Sequence, residues 1–426
     1  MKSGIAIAYS GVHQAYQIAL AATELGELDR FYCSLIAAPG KWGGWLETMV
    51  GAGALANRRL SRIPPDKVSE NPWPLFAHRG RAWLSPQTAN DWGFANQRFD
   101  RWVARRLAKS DAAIFVGVET CASQSFKAAA QRGMIRVLDC PGIDAEFLDA
   151  LARCAADEFG LKTSPRADSA AIRAKKQREL ELADAVIACS ELQANLIAHR
   201  SAPRQVVHLA ALWVDGDFWR PTSDRLAEHG GPLRVVYAGK INLRKGVPYL
   251  VRAVLSSEAP VALTMIGALD DELKDFLAPY HDRIRLLPPC SKSMLRGHYA
   301  AADLLVLPSL GDAFGFVAME AMACGLPVIV TENCGVPVPD PSWRVPVMNA
   351  DAIAERLTLY ADNRELCREH GRIATGFAGE FTPDRYRHQV KNVFQQWLFP
   401  AHATEPQSAR TSEKSLGHRL EQASIE

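Results

Sequence analysis

The stretch from Asp303 to Gly335, DLLVLPSLGDAFGFVAMEAMACGLPVIVTENCG, constrains this chain more than any other. Its apolar run Leu304–Leu307 reads as a strand buried on both faces. Pro308, Ser309, Gly311 and Gly315 then break the run into a loop. Phe316–Cys324 follows as a short helical run with Gly325 at the C-cap position, and Pro327 precedes a second buried strand, Val328–Val330. Strand, glycine loop, helix and strand make one parallel unit. Its loop lies at the carboxyl end of the first strand, where open α/β sheets bind ligands. The backbone N–H groups of such a loop, with the helix N-terminus behind it, suit a phosphate.

Two carboxylates mark this unit. Asp312 can cap the helix region, and Glu320 can be a solvated face residue. Glu320, however, is the only charge in AMEAMACG, and a carboxylate there needs a polar partner such as sugar hydroxyls. The segment resembles the donor-site signature of the family 4 retaining glycosyltransferases: two acids separated by seven residues with Phe-Gly between them, then Glu-Ala-Met-Ala-x-Gly-x-Pro-Val-Ile. The matching positions are Asp312, Phe314, Gly315, Glu320, Ala321, Met322, Ala323, Gly325, Pro327, Val328 and Ile329. Two positions depart from it: the first acid is usually Glu and here is Asp312, one methylene shorter, and Ala313 stands where Gly is common. The resemblance implies an α/β chain of two facing Rossmann-like domains with a cleft between them (the GT-B fold).

The chain is long enough for two to three domains at 426 residues, and its 48% hydrophobic and 23% charged content is that of an ordinary globular protein. No run of 18 apolar residues spans a membrane. The opening MKSGIAIAYSGVHQ is too short in its apolar run for a signal peptide and reads as a first strand. Nine scattered cysteines without C-x-x-C spacing argue against a disulfide frame or a zinc site and for a reducing cytoplasm. Net charge is only +2, yet Lys41–Arg136 holds 15 Lys and Arg against 7 Asp and Glu, a local +8. That is either a solvated helical surface or a face for anionic lipid or an anionic acceptor. No nucleic-acid motif accompanies it, so nucleic acid is not an expected partner.

In chain order, Gly4–Tyr9 is a buried strand followed by the turn Ser10-Gly11-Val12-His13-Gln14 and a helix, a Rossmann-like start that lacks the G-x-G-x-x-G fingerprint of dinucleotide binding. His13 at this turn faces the sheet's carboxyl edge and is either satisfied locally or functional. Residues 37–95 carry Trp42, Trp45, Trp73, Trp83 and Trp92, with Pro64, Pro65, Pro72, Pro74 and Pro86 between them, and read as a decorated insertion with short helices. Its tryptophans either fill a small core or stack on an acceptor sugar or a lipid headgroup. Asn96–Ala108 is a basic amphipathic helix with Phe99, Val103 and Leu107 inward. Strands are expected at Ala112–Val118, Ile135–Asp139, Asp184–Ser190 and Val206–Leu209, with helices between them. Many family relatives carry a histidine near the end of one of these strands. Here those places hold Gly117, Glu119 and Cys140, which leaves His13, Glu119 and Asp139, with Gly11, as acceptor-side candidates.

LWVDGDFWRP, Leu212–Pro221, resembles the family's interdomain segment, and a polar linker, Thr222–Gly231, leads to the second domain. That domain opens with the strand Leu233–Ala238 and the loop Gly239-Lys240-Ile241-Asn242-Leu243-Arg244-Lys245-Gly246. Its two lysines either merely flank a turn or hold a diphosphate. The loop resembles the family's G-R-L-x-x-x-K-G signature with Lys240 for Arg, which keeps the charge but gives up the two-pronged contact. Further strands are expected at Val261–Ile266 and Arg283–Leu287, and the resemblance places the nucleotide base near Pro288–Ser291, including Pro289 and Cys290.

The expected organisation is 1–215 as an acceptor-side domain, 216–380 as a nucleotide-sugar domain, 381–400 as a helix crossing back, and 401–426 as a disordered polar tail. The reaction implied by the resemblance is retaining transfer of a sugar from a nucleotide diphosphate donor (UDP-, GDP- or ADP-sugar) to a glycan or lipid-linked acceptor, in envelope polysaccharide or glycolipid assembly. No cofactor and no metal is implied. Lys240, Lys245 and the amides near Phe314, Gly315, Phe316 and Val317, after Ala313, would stabilise the leaving phosphate, beside Gly239. Glu320 would hold ribose hydroxyls, Asp312 would serve the transferred sugar, and His13 is the first-domain catalytic candidate. The expected location is the cytoplasm, with peripheral contact at the membrane's inner face. A non-catalytic sugar-nucleotide-binding protein and a nucleotide-sugar epimerase on the same fold are the alternative readings.

Overall fold

The computed structural model describes residues 3–11, 14–37, 40–50, 55, 58–59, 62–85, 91–162, 168–200, 205–222 and 231–399. His13, the interior of the linker Thr222–Gly231 and the tail 401–426 lie outside the described residues.

The first half runs β1 (Ile5–Tyr9), α1 (Gln14–Glu24), β2 (Leu28–Cys33), α2 (Trp42–Val50), β3 (Val68–Glu70), α3 (Trp73–Leu84), α4 (Gly93–Leu107), β4 (Ile114–Val118), α5 (Ser123–Gln131), β5 (Ile135–Cys140), α6 (Ala145–Phe159), α7 (Ala170–Leu182), β6 (Ala185–Ala188), α8 (Glu191–Arg200) and β7 (Val206–Leu209). Its strands form one seven-stranded parallel sheet in the order β3-β2-β1-β4-β5-β6-β7. Helices cover both faces of such a sheet, which is why IAIAY, IFVGV and AVIA are apolar without alternation and almost wholly buried.

The second half runs β8 (Leu233–Ala238), α9 (Val247–Ser256), β9 (Val261–Ile266), α10 (Lys274–Leu277), β10 (Ile284–Leu287), α11 (Lys292–Ala300), β11 (Leu304–Leu307), α12 (Phe316–Ala323), β12 (Val328–Thr331), β13 (Arg344–Val345), α13 (Ala350–Asp362), α14 (Arg364–Gly379) and α15 (Pro383–Leu398). These strands form a six-stranded parallel sheet, β10-β9-β8-β11-β12-β13. The fold is therefore α/β, two parallel sheets each wrapped by helices.

Five elements lie where the sequence reading assigns none, the four-residue α10 among them. Residues 37–95 are not only decoration, because Val68–Glu70 pairs with β2 and closes the edge of the first sheet. Three residues are too few for a periodic signal. The pattern of β2 is obscured by Asp29 and Arg30, which bond to Ser110 and to the Asp66 carbonyl. β13 has only two residues. Helix α14 buries Cys367, Gly371, Ala374 and Ala378, a stripe too small in side chain to stand out as apolar.

The two sheets are bound to each other. The Arg244 guanidinium pairs with Asp149 at 2.7 Å, the Tyr249 hydroxyl donates to Glu158 at 2.6 Å, and the Val214 amide donates to the Phe381 carbonyl at 3.0 Å. Helix α15 lies on α1, where Lys391 pairs with Glu24 at 2.9 Å and Arg387 donates to Gln17 at 2.7 Å. One apolar cluster runs through both halves, from Ile5 to Phe394.

Candidate functional site

The site grows from the carboxyl edge of the second sheet. After β8 the chain turns at Gly239, whose φ is +139°, and crosses Gly267 so closely that a Cβ on Gly267 would lie 1.7 Å from the Gly239 carbonyl oxygen. Asn242 caps the next turn by accepting from the Lys245 amide at 3.0 Å. Gly246 then takes φ +67°, and a Cβ there would lie 1.8 Å from the Pro308 carbonyl oxygen. Only glycine fits at that crossing, and it presses the lysine loop against the loop that follows β11.

This crossing places Lys245 beside Asp312. The ammonium of Lys245 lies 2.5 Å from Asp312 Oδ2, while Asp312 Oδ1 accepts from the Gly315 amide at 3.1 Å. Gly315, with φ +77°, is the N-cap of α12, and a Cβ on it would meet Cys334 Sγ at 2.6 Å. The first bond of the helix runs from the Ala318 amide to the Gly315 carbonyl at 3.0 Å, so the amides of Phe316 and Val317 precede the helical ladder and point out of its N-terminus. Phe314 is buried and meets Phe316 edge-on at 5.1 Å. Lys240 does not join this cluster: its ammonium pairs with Asp270 at 2.9 Å and is largely exposed.

Glu320 lies further along α12 and is half-buried above the buried Tyr299. Burial pushes its carboxyl up to about 7, and the nearby Lys292 partly counters this. Lys292 opens α11 after the loop that contains Pro289 and the half-buried Cys290. The sequence reading missed Lys292, Asp270 and Asn242. Lys292 and Asp270 act on partners brought from other elements, which no local spacing shows, and Asn242 stands at an unspecified position of the lysine-loop signature, where an N-cap residue ahead of Lys245 is the signal that could have found it.

Gly11, Glu119 and Asp139 stand at the carboxyl edge of the first sheet. Gly11 packs so close to Tyr9 that a Cβ would lie 2.6 Å from its ring. The Glu119 amide donates to the Asp139 carbonyl at 3.0 Å, which ties the two strand ends together. The Glu119 carboxylate pairs with Lys176 at 3.1 Å, and Lys176 also pairs with Asp168 at 2.9 Å. Burial raises the Asp139 carboxyl to about 7, with the Gln14 amide lowering it and Glu119 raising it. Its Oδ2 is buried with no hydrogen-bond partner among the described residues. Two other buried carboxylates here are structural. Asp100 and Glu179 accept from the backbone amides at the start of α5, Glu179 from Thr120, Ala122 and Ser123, and Asp100 from Gln124 and Ser125. The two halves meet at the loop before α12, where Cys189 Sγ donates to the Ala313 carbonyl at 3.5 Å.

Among the described residues there is no cluster of three or more His, Cys, Asp or Glu side chains that could hold a metal, and no helix long and apolar enough to cross a membrane. All nine cysteines are free thiols.

Residues 232–363 match the family described as glycosyl transferases group 1. The chain is 35% identical over 179 residues to a D-inositol 3-phosphate glycosyltransferase of Streptomyces bingchenggensis, covering 37% of this chain and 39% of the relative. It is 33% identical over 159 residues to the enzyme of that name from Arthrobacter sp., covering 34% and 38%. The match thus spans about two fifths of the length of these relatives. Among solved structures, sucrose-phosphate synthase from Thermosynechococcus elongatus superposes with a TM-score of 0.62 at 18% identity, over 94% of this chain and 100% of that one. HepE of Anabaena, solved with UDP and glucose, superposes with a TM-score of 0.58 at 13% identity, over 92% and 100%. At such identities the likeness speaks for the fold: two Rossmann-like domains with a cleft between them, GT-B.

Proposed function

We propose that this chain, whose second half belongs to the glycosyl transferases group 1, moves a sugar from a nucleotide diphosphate-sugar to an acceptor hydroxyl with retention of anomeric configuration. The observation that carries the proposal is the junction of Lys245, Asp312 and the first-turn amides of α12 at one sheet edge. A cation beside the first-turn amides of a helix N-terminus complements a pyrophosphate.

As the glycosidic bond breaks, its electron pair goes to the donor's β-phosphate oxygen. The growing negative charge is met by Lys245, by the amides of Phe316 and Val317, and by Lys240 once that side chain swings from Asp270. This proposal assigns leaving-group stabilisation to these groups rather than to a metal. Glu320 accepts from the ribose hydroxyls in its ionised form. Asp312, held by Lys245 and Gly315, faces the transferred sugar. The backbone at Pro289 and Cys290 meets the base. The edge formed by Gly11, Glu119 and Asp139 receives the acceptor hydroxyl, which attacks on the face the leaving group departs from. HepE was solved with UDP, UDP-glucose, and UDP with glucose, which favours a uridine donor as the first to try. We assign the acceptor to a glycan or lipid-linked glycan of envelope assembly, and the place of action to the cytoplasmic side of the membrane.

The test is a thermal-shift series with UDP, GDP and ADP and their sugars, followed by donor hydrolysis without acceptor. A donor at 100 times its Kd adds about 2.7 kcal/mol of stability. Stabilisation by one nucleotide series together with release of the nucleoside diphosphate supports the proposal. Stabilisation without any turnover, with or without added acceptors, would leave only a binding protein. Interconversion of two nucleotide-sugars would make it an epimerase.

A further inference from the structure

Helices α2 and α3 are built the wrong way round for a globular surface. On α2, Trp42, Trp45 and Met49 recur at helical spacing and all three are exposed, Trp45 by 56% and Met49 by 69%. The inward position between them is Gly43, so close to the chain beneath that a Cβ would lie 2.0 Å from the Ile36 carbonyl oxygen. The helix therefore turns its glycine to the protein and its indoles to solvent. Helix α3 repeats the pattern: it buries Pro74 and His78 and exposes Trp73 (64%), Trp83 (82%) and Leu84 (77%). An edge contact of 6.0 Å between Trp42 and Trp73 joins the two stripes, and Trp73 meets Phe76 at 6.0 Å. Seven of the thirteen large apolar side chains exposed in the described residues lie between Trp42 and Trp92. Tryptophans that filled a local core would not be so placed.

Positive charge follows this ridge in the sequence, and Arg81 and Arg98 both lie over the Phe94 ring at the junction of α3 and α4. Residues 73–109 hold seven Lys and Arg against two Asp. Of the two acids, Asp100 is buried and occupied by the start of α5, so only Asp91 offsets the outward charge. Arg79, Arg81, Arg98, Arg101, Arg105 and Arg106 are exposed. An amphipathic surface of indoles flanked by arginines matches the headgroup zone of an anionic bilayer, where the ring lies at the interface and the cation meets phosphate.

We propose that the α2–α3 ridge, with the cations of α3 and of the first turns of α4, docks the first domain onto an anionic phospholipid surface. Trp42 and Trp73 follow the carboxyl ends of β2 and β3, at the same sheet edge as Gly11 and Glu119. Docking there brings the acceptor edge to the membrane, where a lipid-linked acceptor resides. The docking itself does not depend on the transfer reaction.

The test is flotation of the full chain with phosphatidylcholine vesicles, with and without about one third phosphatidylglycerol. The expected result is association with the anionic vesicles, weakened in 0.5 M salt. Each removed cation near the surface should cost roughly fivefold, so Arg79→Gln with Arg98→Gln should weaken association about 30-fold. Trp45→Ser with Trp83→Ser should weaken it about tenfold or more. Both pairs alter exposed side chains, and circular dichroism with nucleotide-induced thermal shift confirms that each variant folds. No association with anionic vesicles, or association unchanged by both pairs, overturns the proposal. So does a dimer in gel filtration that the tryptophan pair dissociates while vesicles bind nothing, since the ridge would then be a contact between copies.

Discussion

The Lys245 ammonium and the Asp312 carboxylate meet at 2.5 Å across 67 positions of chain. The pair bolts the lysine loop to the loop before α12, so the proposed phosphate cation and the proposed sugar carboxylate hold one another in place. Removing the lysine takes away one charge-assisted bond to the donor, worth roughly 1.5–3 kcal/mol. Lys245→Ala should therefore lower kcat/KM about 10- to 150-fold without unfolding the chain. Steady-state kinetics on a variant with an intact melting transition checks this. Near-normal turnover would remove Lys245 from the site.

Gly246 makes that pair possible, and its conformation is a direct target. A Cβ at this position meets the Pro308 carbonyl oxygen at 1.8 Å while φ stays at +67°. Gly246→Ala should cost roughly 2–4 kcal/mol, from the clash and the left-handed strain together. Thermal denaturation measures it. Donor binding should fall with it, because the lysine loop loses its seat.

Two buried carboxyls make stability depend on pH. Glu320 and Asp139 are each raised to about 7 in the fold, from ordinary values of 4.5 and 3.8. Between those limits the folded chain holds protons that the unfolded chain has released, so stability falls as pH rises from about 4 to about 7. Above that range each group costs of order 2–4 kcal/mol. Glu320→Gln and Asp139→Asn should each flatten the profile and raise the melting temperature at pH 8. Chemical denaturation across pH 5–8 reads this, and an unchanged slope in both variants would contradict it.

The same ionisation bears on the donor. A ribose hydroxyl donates to a carboxylate, so binding needs Glu320 deprotonated. Donor affinity should decline below about pH 7, by up to roughly tenfold per pH unit, and Glu320→Gln should bind weakly and without this pH dependence. Calorimetric titration with the stabilising nucleotide at pH 6 and pH 8 provides the comparison.

The sequence alone determined the α/β class, the paired glycine loops at strand ends and the resemblance that named the family, because each rests on short-range patterns. Buried parallel strands are apolar throughout, and glycines stand where the backbone needs positive φ or close approach, as at Gly315 and Gly325. Tertiary structure decided which charges meet. Lys245 takes Asp312 while Lys240, five residues earlier, takes Asp270; Glu179 reaches from α7 to cap α5; and Lys292 comes beside Glu320. These partners come from different strands and helices, and no local spacing encodes them. Tertiary structure also turned the tryptophans outward. A stripe at helical spacing looks the same whether it faces core or solvent, and only the packing of Gly43 against Ile36 fixes which side is which.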